Sequence, residues 1–324
     1  MTANQPAYRI DGLQYCNWSE KVFRQLREGG LDAVHVTVCY HETLRETIAN
    51  LTAWNRLFEQ FPQLILKGRT AADIEAARAS KRTAIFFGLQ NCSPIEDDVG
   101  LLEALHDLGI RFMQLTYNNQ SLLGAGCYEA EDCGITRMGR EVIAEMNRLG
   151  LVVDLSHSAE RTSREAIDLS ARPVAITHAN PASWLAAPRN KSDGLLKSLV
   201  ARGGMLGLSL YPHHLKGGSQ CRLEDFCAMA ARTADLIGVD HLGIGSDLCQ
   251  DQPDSVVQWM RSGRWSKTND KTAVFPPQPT WFRDNRDFNT LQAGLTAAGF
   301  AAGDIAQVLG GNWLRFFAEG FGRA

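Results

Sequence analysis

The chain has 324 residues, 44% of them hydrophobic and 21% charged, and a formal net charge of −3. That composition is typical of a folded chain able to bury a sizeable core. The mildly acidic balance, with Lys and Arg scattered, excludes bulk attraction to nucleic acid or anionic lipid, and no apolar run approaches the ~20 residues of a membrane span.

The start, MTANQPAYRIDG, lacks the basic and apolar segments of a secretion signal. The eight cysteines contain no C-x-x-C pair, which predicts reduced thiols in a cytoplasmic protein.

In chain order, YRIDGLQYC (8–16) reads as a first strand, and WSEKVFRQLREGG as a helix closed by Gly29-Gly30. LDAVHVTVCY (31–40) is a second strand, followed by a helix from about Glu42 to Phe61. After a helical segment near Ala71 to Ser80 comes a third strand, RTAIFFGLQNC (82–92). Residues 97–109 read as helix and RFMQLTYN (111–118) as a fourth strand; a polar loop then leads to the helix ending in MNRLG.

The stretch Gly150 to Asn190 reads as strand, helix, strand. LVVDLSH closes on His157 and PVAITH on His178, with Ser158 as the expected cap of the helix between them. Continuous apolar runs suit parallel strands buried on both faces. In a βαβ unit both imidazoles emerge at one edge of the sheet, where such folds build their sites. SDGLLKSLVARGG is a helix, GMLGLSLYP (204–212) a seventh strand, 222–237 a helix and HLGIGSD (241–247) an eighth strand.

Eight strands alternating with helices predict an α/β protein with a single (β/α)8 TIM barrel domain over 1–324. The competing doubly wound sheet lacks its Gly-rich dinucleotide fingerprint. Residues 248–287 break the rhythm, carrying Trp259, Trp265, Phe275, Trp281 and Phe282 with little periodicity. Such a long aromatic loop reads as a packed lid or a subunit contact. Helices Asp287 to Ala298 and Gly303 to Glu319 close the chain.

The C-terminal strand ends of a barrel form the mouth. They bring Leu13, Tyr15, His41, Gln90, Tyr117, Asn118, His157, His178, Tyr211 and Asp247 to one place. Two imidazoles and a carboxylate can hold one zinc and leave a position for water. Arg189 and Asn190, just past the sixth strand, are placed to clamp a substrate carboxylate, and Asn118 to contact substrate beside them. Cys16, Cys39, Cys92 and Cys249 also fall near strand ends, although free cysteine usually packs in the core.

RFMQLTYN, GITRMGREVIAEMNRLGLVVDLSH, THANP with the following RN, HLGIGSD and GGNWLRFF together resemble the renal (membrane) dipeptidase family of the amidohydrolase superfamily. The resemblance implies a barrel holding two zinc ions that cleaves a dipeptide amide, and it favours a homodimer. His157 and His178 match the histidines of the second zinc, Arg189 the receiver of the substrate carboxylate, and Asp247 the acid near the attacking water and substrate amine. The other positions depart from the pattern. Leu13 and Tyr15 stand where a His-x-Asp pair supplies ligands, Gln90 where a bridging glutamate stands, and Tyr117 where a histidine polarises the scissile carbonyl. Neutral amide, phenol and alkyl groups are poor substitutes for such ligands.

The chain is therefore expected to keep one zinc at most. A catalytic zinc lowers the pKa of its water from ~15.7 to ~7, on the order of 12 kcal/mol. A base such as Asp247 alone supplies roughly 3–5 kcal/mol. Two functions follow: a mononuclear dipeptidase-like hydrolase, with Asp247 as third ligand or base and Tyr117 donating to the oxyanion, or a non-hydrolytic member binding or otherwise transforming a small amino-acid-derived metabolite, whose amine or methylated ammonium meets the aromatic loop.

Overall fold

The computed structural model describes residues 7–268 and 271–322. The first six residues, part of the stretch read above for a secretion signal, lie outside the described residues.

Among the described residues, nine parallel strands form one sheet: β1 Ile10–Gln14, β2 Ala33–Cys39, β3 Ile65–Lys67, β4 Thr83–Leu89, β5 Ile110–Gln114, β6 Val152–Asp154, β7 Ala175–Ala179, β8 Met205–Leu208 and β9 Leu242–Ile244. β2 pairs with β4, from Ala33 opposite Ala84 to Cys39 opposite Leu89, and β1 pairs with β9. Those pairings close eight strands into a barrel, while β3 pairs only with β4 and stays outside it. The eight expected strands are the eight of the barrel. β3 was not expected: three residues of QLILKG are too few to show alternation.

The eight barrel strands are buried along their length, as a helix-covered parallel barrel requires. At the N-terminal end, Ile10, Phe86, Phe112 and Met205 pack around Trp313, Phe316 and Phe317 of the helix Asn312–Gly320. The Trp313 indole donates to the Ile244 carbonyl at 2.9 Å. A Cβ at Gly12 would lie 2.6 Å from its ring and one at Gly243 2.3 Å from its indole nitrogen, so glycine is required on both strands. The GGNWLRFF segment thus plugs the bottom of the barrel and leaves the opposite end for chemistry.

Two local expectations need correction. The helix after His157 runs Glu160–Leu169 with Ala159 at its N-cap, and Ser158 does not cap it. Instead, the Ser158 carbonyl accepts from the Lys191 ammonium at 2.6 Å. Residues 248–287 also contain a helix, Asp254–Ser262, which buries Val257 and Met260. Its short apolar face is interrupted by polar residues, which hid the period in the sequence.

Candidate active site at the barrel mouth

Asp154, the last residue of β6, organises the mouth. Its carboxylate is fully buried and receives the Gln114 side-chain amide at 2.9 Å, the Ser156 backbone N–H and hydroxyl, and the Thr177 N–H and hydroxyl. Since the Thr177 hydroxyl spends its proton on Asp154 at 2.6 Å, its oxygen accepts from His178 Nδ1 at 2.8 Å. On the other imidazole, His157 Nδ1 donates to Asn118 Oδ1 at 2.7 Å. Both rings therefore carry their proton on Nδ1, and the two bare Nε2 atoms lie 3.2 Å apart. Burial, with Arg189 nearby, pushes both imidazoles well below their ordinary pKa, so they are neutral.

Two lone pairs facing at that distance repel unless a cation lies between them. Two imidazoles on one tetrahedral zinc have nitrogens about 3.3 Å apart, given Zn–N near 2.05 Å. The pair therefore fits one ion. Among the described residues, no third His, Cys, Asp or Glu joins them in a group able to hold a metal. Asp247, which lines the same cavity as His157, is not drawn into such a group in this structure. The residues at the first metal position do not fit an ion: Leu13 is apolar and fully buried, Tyr15 brings a neutral phenol, and the Gln90 amide at the bridging position donates to the Thr37 hydroxyl at 2.7 Å, while Tyr117, at the carbonyl-polarising position, is likewise a neutral phenol.

Asp247 follows β9. Asp11 holds that strand end, accepting the Ser246 backbone N–H at 2.7 Å and the Ser246 hydroxyl. Asp247 itself has φ of +58°, a left-handed conformation costing a non-glycine residue about 1–2 kcal/mol. Its carboxylate faces the cavity without a hydrogen bond among the described residues, and burial raises its pKa to about 7 against the opposing pull of Arg189.

The cavity is small, about 70 Å³, and joins Gln90, Tyr117, Asn118, His157, Arg189 and Asp247. Arg189 is buried, donating to the Ser156 and His178 carbonyls. Asn190 does not line the cavity: its amide donates to Leu185 and His214 carbonyls and its oxygen accepts from Asn180 N–H. Leu13 is likewise packed away, and His178 stands behind His157. A larger groove of about 750 Å³ opens at the opposite, N-terminal face, but there Arg78 is paired with Asp32 at 3.3 Å and no strand delivers its C-terminal end.

Several participants went unread in the sequence. Tyr40 packs edge-on against Tyr15 and Tyr117 at 6.1 and 5.9 Å; its place between Cys39 and His41, just past β2, was the available signal. Tyr128 lines the cavity from a loop, and Val257, Met260 and Arg261 line it from the helix Asp254–Ser262. Asp154 and Thr177 read simply as strand residues. The thiols stay out of the chemistry: burial pushes Cys92 to about 11 and Cys249 to about 12.

Trp259, Met260 and Phe275 of the segment read as a loop pack over this mouth. Trp259 donates to Glu42 at 3.0 Å and stands edge-on to His41, whose ring nitrogen meets the Met260 carbonyl at 3.2 Å. Phe275 lies 6.1 Å from Tyr15.

Comparison with known proteins agrees with this architecture. A model of the membrane dipeptidase family (peptidase family M19) matches residues 17–260. The dipeptidase verJ of Clonostachys rogersoniana is 30% identical over 64% of this chain and 54% of its own length. The dipeptidase aclJ of Aspergillus oryzae is 26% identical over 86% of this chain and 62% of its own. The chain thus spans little more than half the length of these curated relatives. Among solved structures, an amidohydrolase from Pseudomonas aeruginosa is 34% identical over 97% of each chain, with a TM-score of 0.92. A metallopeptidase from Rhodobacter sphaeroides, liganded with a phosphinate mimic of L-Ala-D-Ala, shares the fold at 18% identity and a TM-score of 0.82, covering 98% of this chain and all of that one. The chain belongs to the membrane dipeptidase family.

Proposed function

We propose that this member of the membrane dipeptidase family hydrolyses the amide bond of a compact dipeptide-like acid, with one zinc ion at most, held by His157 and His178. The observation that carries the reading is the 3.2 Å approach of the two Nε2 atoms, with each ring's Nδ1 hydrogen-bonded elsewhere. Such orientation of ligand histidines by their other nitrogen is how proteins tune a metal site. Bound there, the ion would supply Lewis-acid polarisation of the scissile carbonyl.

The remaining roles belong to this chain's own residues. Arg189 receives the substrate carboxylate through the guanidinium edge not engaged by Ser156 and His178. Asp247, with a pKa near 7, is matched to take a proton from the attacking water and return it to the leaving amine. The Tyr117 hydroxyl, held protonated by burial beside Asp247, donates to the oxyanion as it forms. Asn118 keeps His157 in its tautomer. Membership of a hydrolase family favours this reading over a non-hydrolytic one. The eight unpaired cysteines support a reducing, cytoplasmic setting.

The test is metal content by mass spectrometry beside turnover of a dipeptide panel, for the wild type and His157→Ala. The expected result is about one zinc per chain, lost together with hydrolysis in the variant. No metal in either protein after incubation with zinc, or no turnover across the panel, would end the reading.

A further inference from the structure

A distinct apolar cluster sits at the mouth, separate from the barrel core, formed by Tyr15, Tyr40, Tyr117 and Tyr211 with Cys249 and Met260. Tyr15, Tyr117 and Tyr211 line the cavity with Asp247, and Tyr40 bridges Tyr15 and Tyr117 from behind, meeting both edge-on. Of these residues, Tyr15 stands where the resemblance implies a ligand of a first metal, and a neutral phenol does not fit that role. Among the described residues, the buried Tyr40 hydroxyl has no hydrogen-bond partner. The Asp247 carboxylate is buried, carried on left-handed backbone, and near the Arg189 guanidinium.

Burial disfavours the ionised form of Asp247 and Arg189 offsets only part of that, so a cation bound in the pocket would hold the carboxylate ionised. The pocket walls set the kind of cation. A primary ammonium is strongly hydrated and brings three N–H donors. An alkylated ammonium keeps the charge, drops donors, and gains about 0.8 kcal/mol for each buried methyl-sized group. Phenol rings attract such a cation through their electron-rich faces, an effect that grows when water is excluded. The Val257 and Met260 side chains add apolar surface, and Arg189 stands in the same cavity for an acid.

We propose that the tyrosine ring and Asp247 form a cage for an N-methylated ammonium, making the substrate class a compact acid whose amine is tertiary or quaternary. This rests on the hydrolase reading only for the word substrate; the cage itself concerns binding.

Calorimetric titration of the wild type with glycylglycine and its N-mono-, di- and trimethyl forms, and with tetramethylammonium alone, tests it. The expected result is affinity rising along the series by roughly tenfold or more, with tetramethylammonium competing. Tyr211→Leu should lose that preference and Tyr211→Phe keep it, since the ring and not the hydroxyl carries the attraction. Glycylglycine binding as tightly as its trimethyl form overturns the cage, and the wild-type series alone decides this if a variant fails to fold. Methyl-dependent binding without hydrolysis would keep the cage and end the hydrolase reading; hydrolysis of free-amine dipeptides without methyl preference would do the reverse.

Discussion

His178 Nδ1 gives its proton to the Thr177 hydroxyl at 2.8 Å, and through it the ring is tied to the fully buried Asp154. The two residues are adjacent in sequence, yet the bond works only because Thr177 has already committed its own proton to the carboxylate. A ring held in this way presents Nε2 to the cavity.

Thr177→Val keeps the shape and removes both bonds. Zinc affinity, measured by competition with a chromophoric chelator, should fall about 10- to 100-fold, the usual effect of losing an outer-shell partner. Stability should drop by about 1–3 kcal/mol because Asp154 loses a buried donor. Unchanged affinity would mean that Thr177 does not orient the ring.

Gln90→Glu puts a carboxylate into the cavity that holds His157, and Thr37 can donate to it in place of accepting from the amide. Zinc should bind more tightly than in the wild type, by about tenfold or more, because a third anionic ligand becomes available. The same chelator competition reads it, and equal or weaker binding would place position 90 out of reach of the ion.

Asp247 gives a pH signature of known sign. Its pKa is raised from the ordinary 3.8 to about 7, so the folded protein holds a proton that the unfolded chain releases between those values. The stability this contributes is complete below about pH 4 and is lost as pH rises through 7, on the order of 4 kcal/mol in all. Asp11, raised to about 6 by burial, acts in the same sense. The buried neutral histidines act oppositely as pH falls, so the wild type must be compared with Asp247→Asn. Denaturant melts from pH 5 to 8 should show the variant gaining stability relative to wild type across that range; a constant difference would mean Asp247 titrates normally.

Hydrolysis should rise with pH through about 7 as Asp247 loses its proton. Asp247→Asn should abolish that limb and lower kcat by roughly 10²- to 10⁴-fold. A pH–rate profile that keeps the limb in the variant would assign it to another group.

Trp259 fastens the helix Asp254–Ser262 over the mouth through Glu42 and His41. Trp259→Ala should raise KM several-fold with less effect on kcat, and should expose the segment to limited proteolysis. A KM at the wild-type level would show that the segment closes without this contact.

Much of the architecture was legible in the sequence because a parallel barrel writes itself there as buried apolar runs alternating with amphipathic helices. LVVDLSH and PVAITH announced both the unit and its two histidines, and Leu13, Tyr15 and Gln90 stood out as departures from the pattern of metal-ligating residue types. Three residues at β3 and the broken face of Asp254–Ser262 left too little period to read. What only the tertiary structure decided are distances and proton directions. Asp154 hides as one more residue in a strand until Gln114, Ser156 and Thr177 converge on it from three segments. Asn190, beside Arg189 in sequence, turns into the loop because Leu185 and His214 present carbonyls there. Tyr15, Tyr40, Tyr117 and Tyr211 lie on four different strand ends, and closure of the barrel alone makes them neighbours of Asp247. Residue type fixes which chemistry is available; closure of the sheet fixes which groups share one cavity.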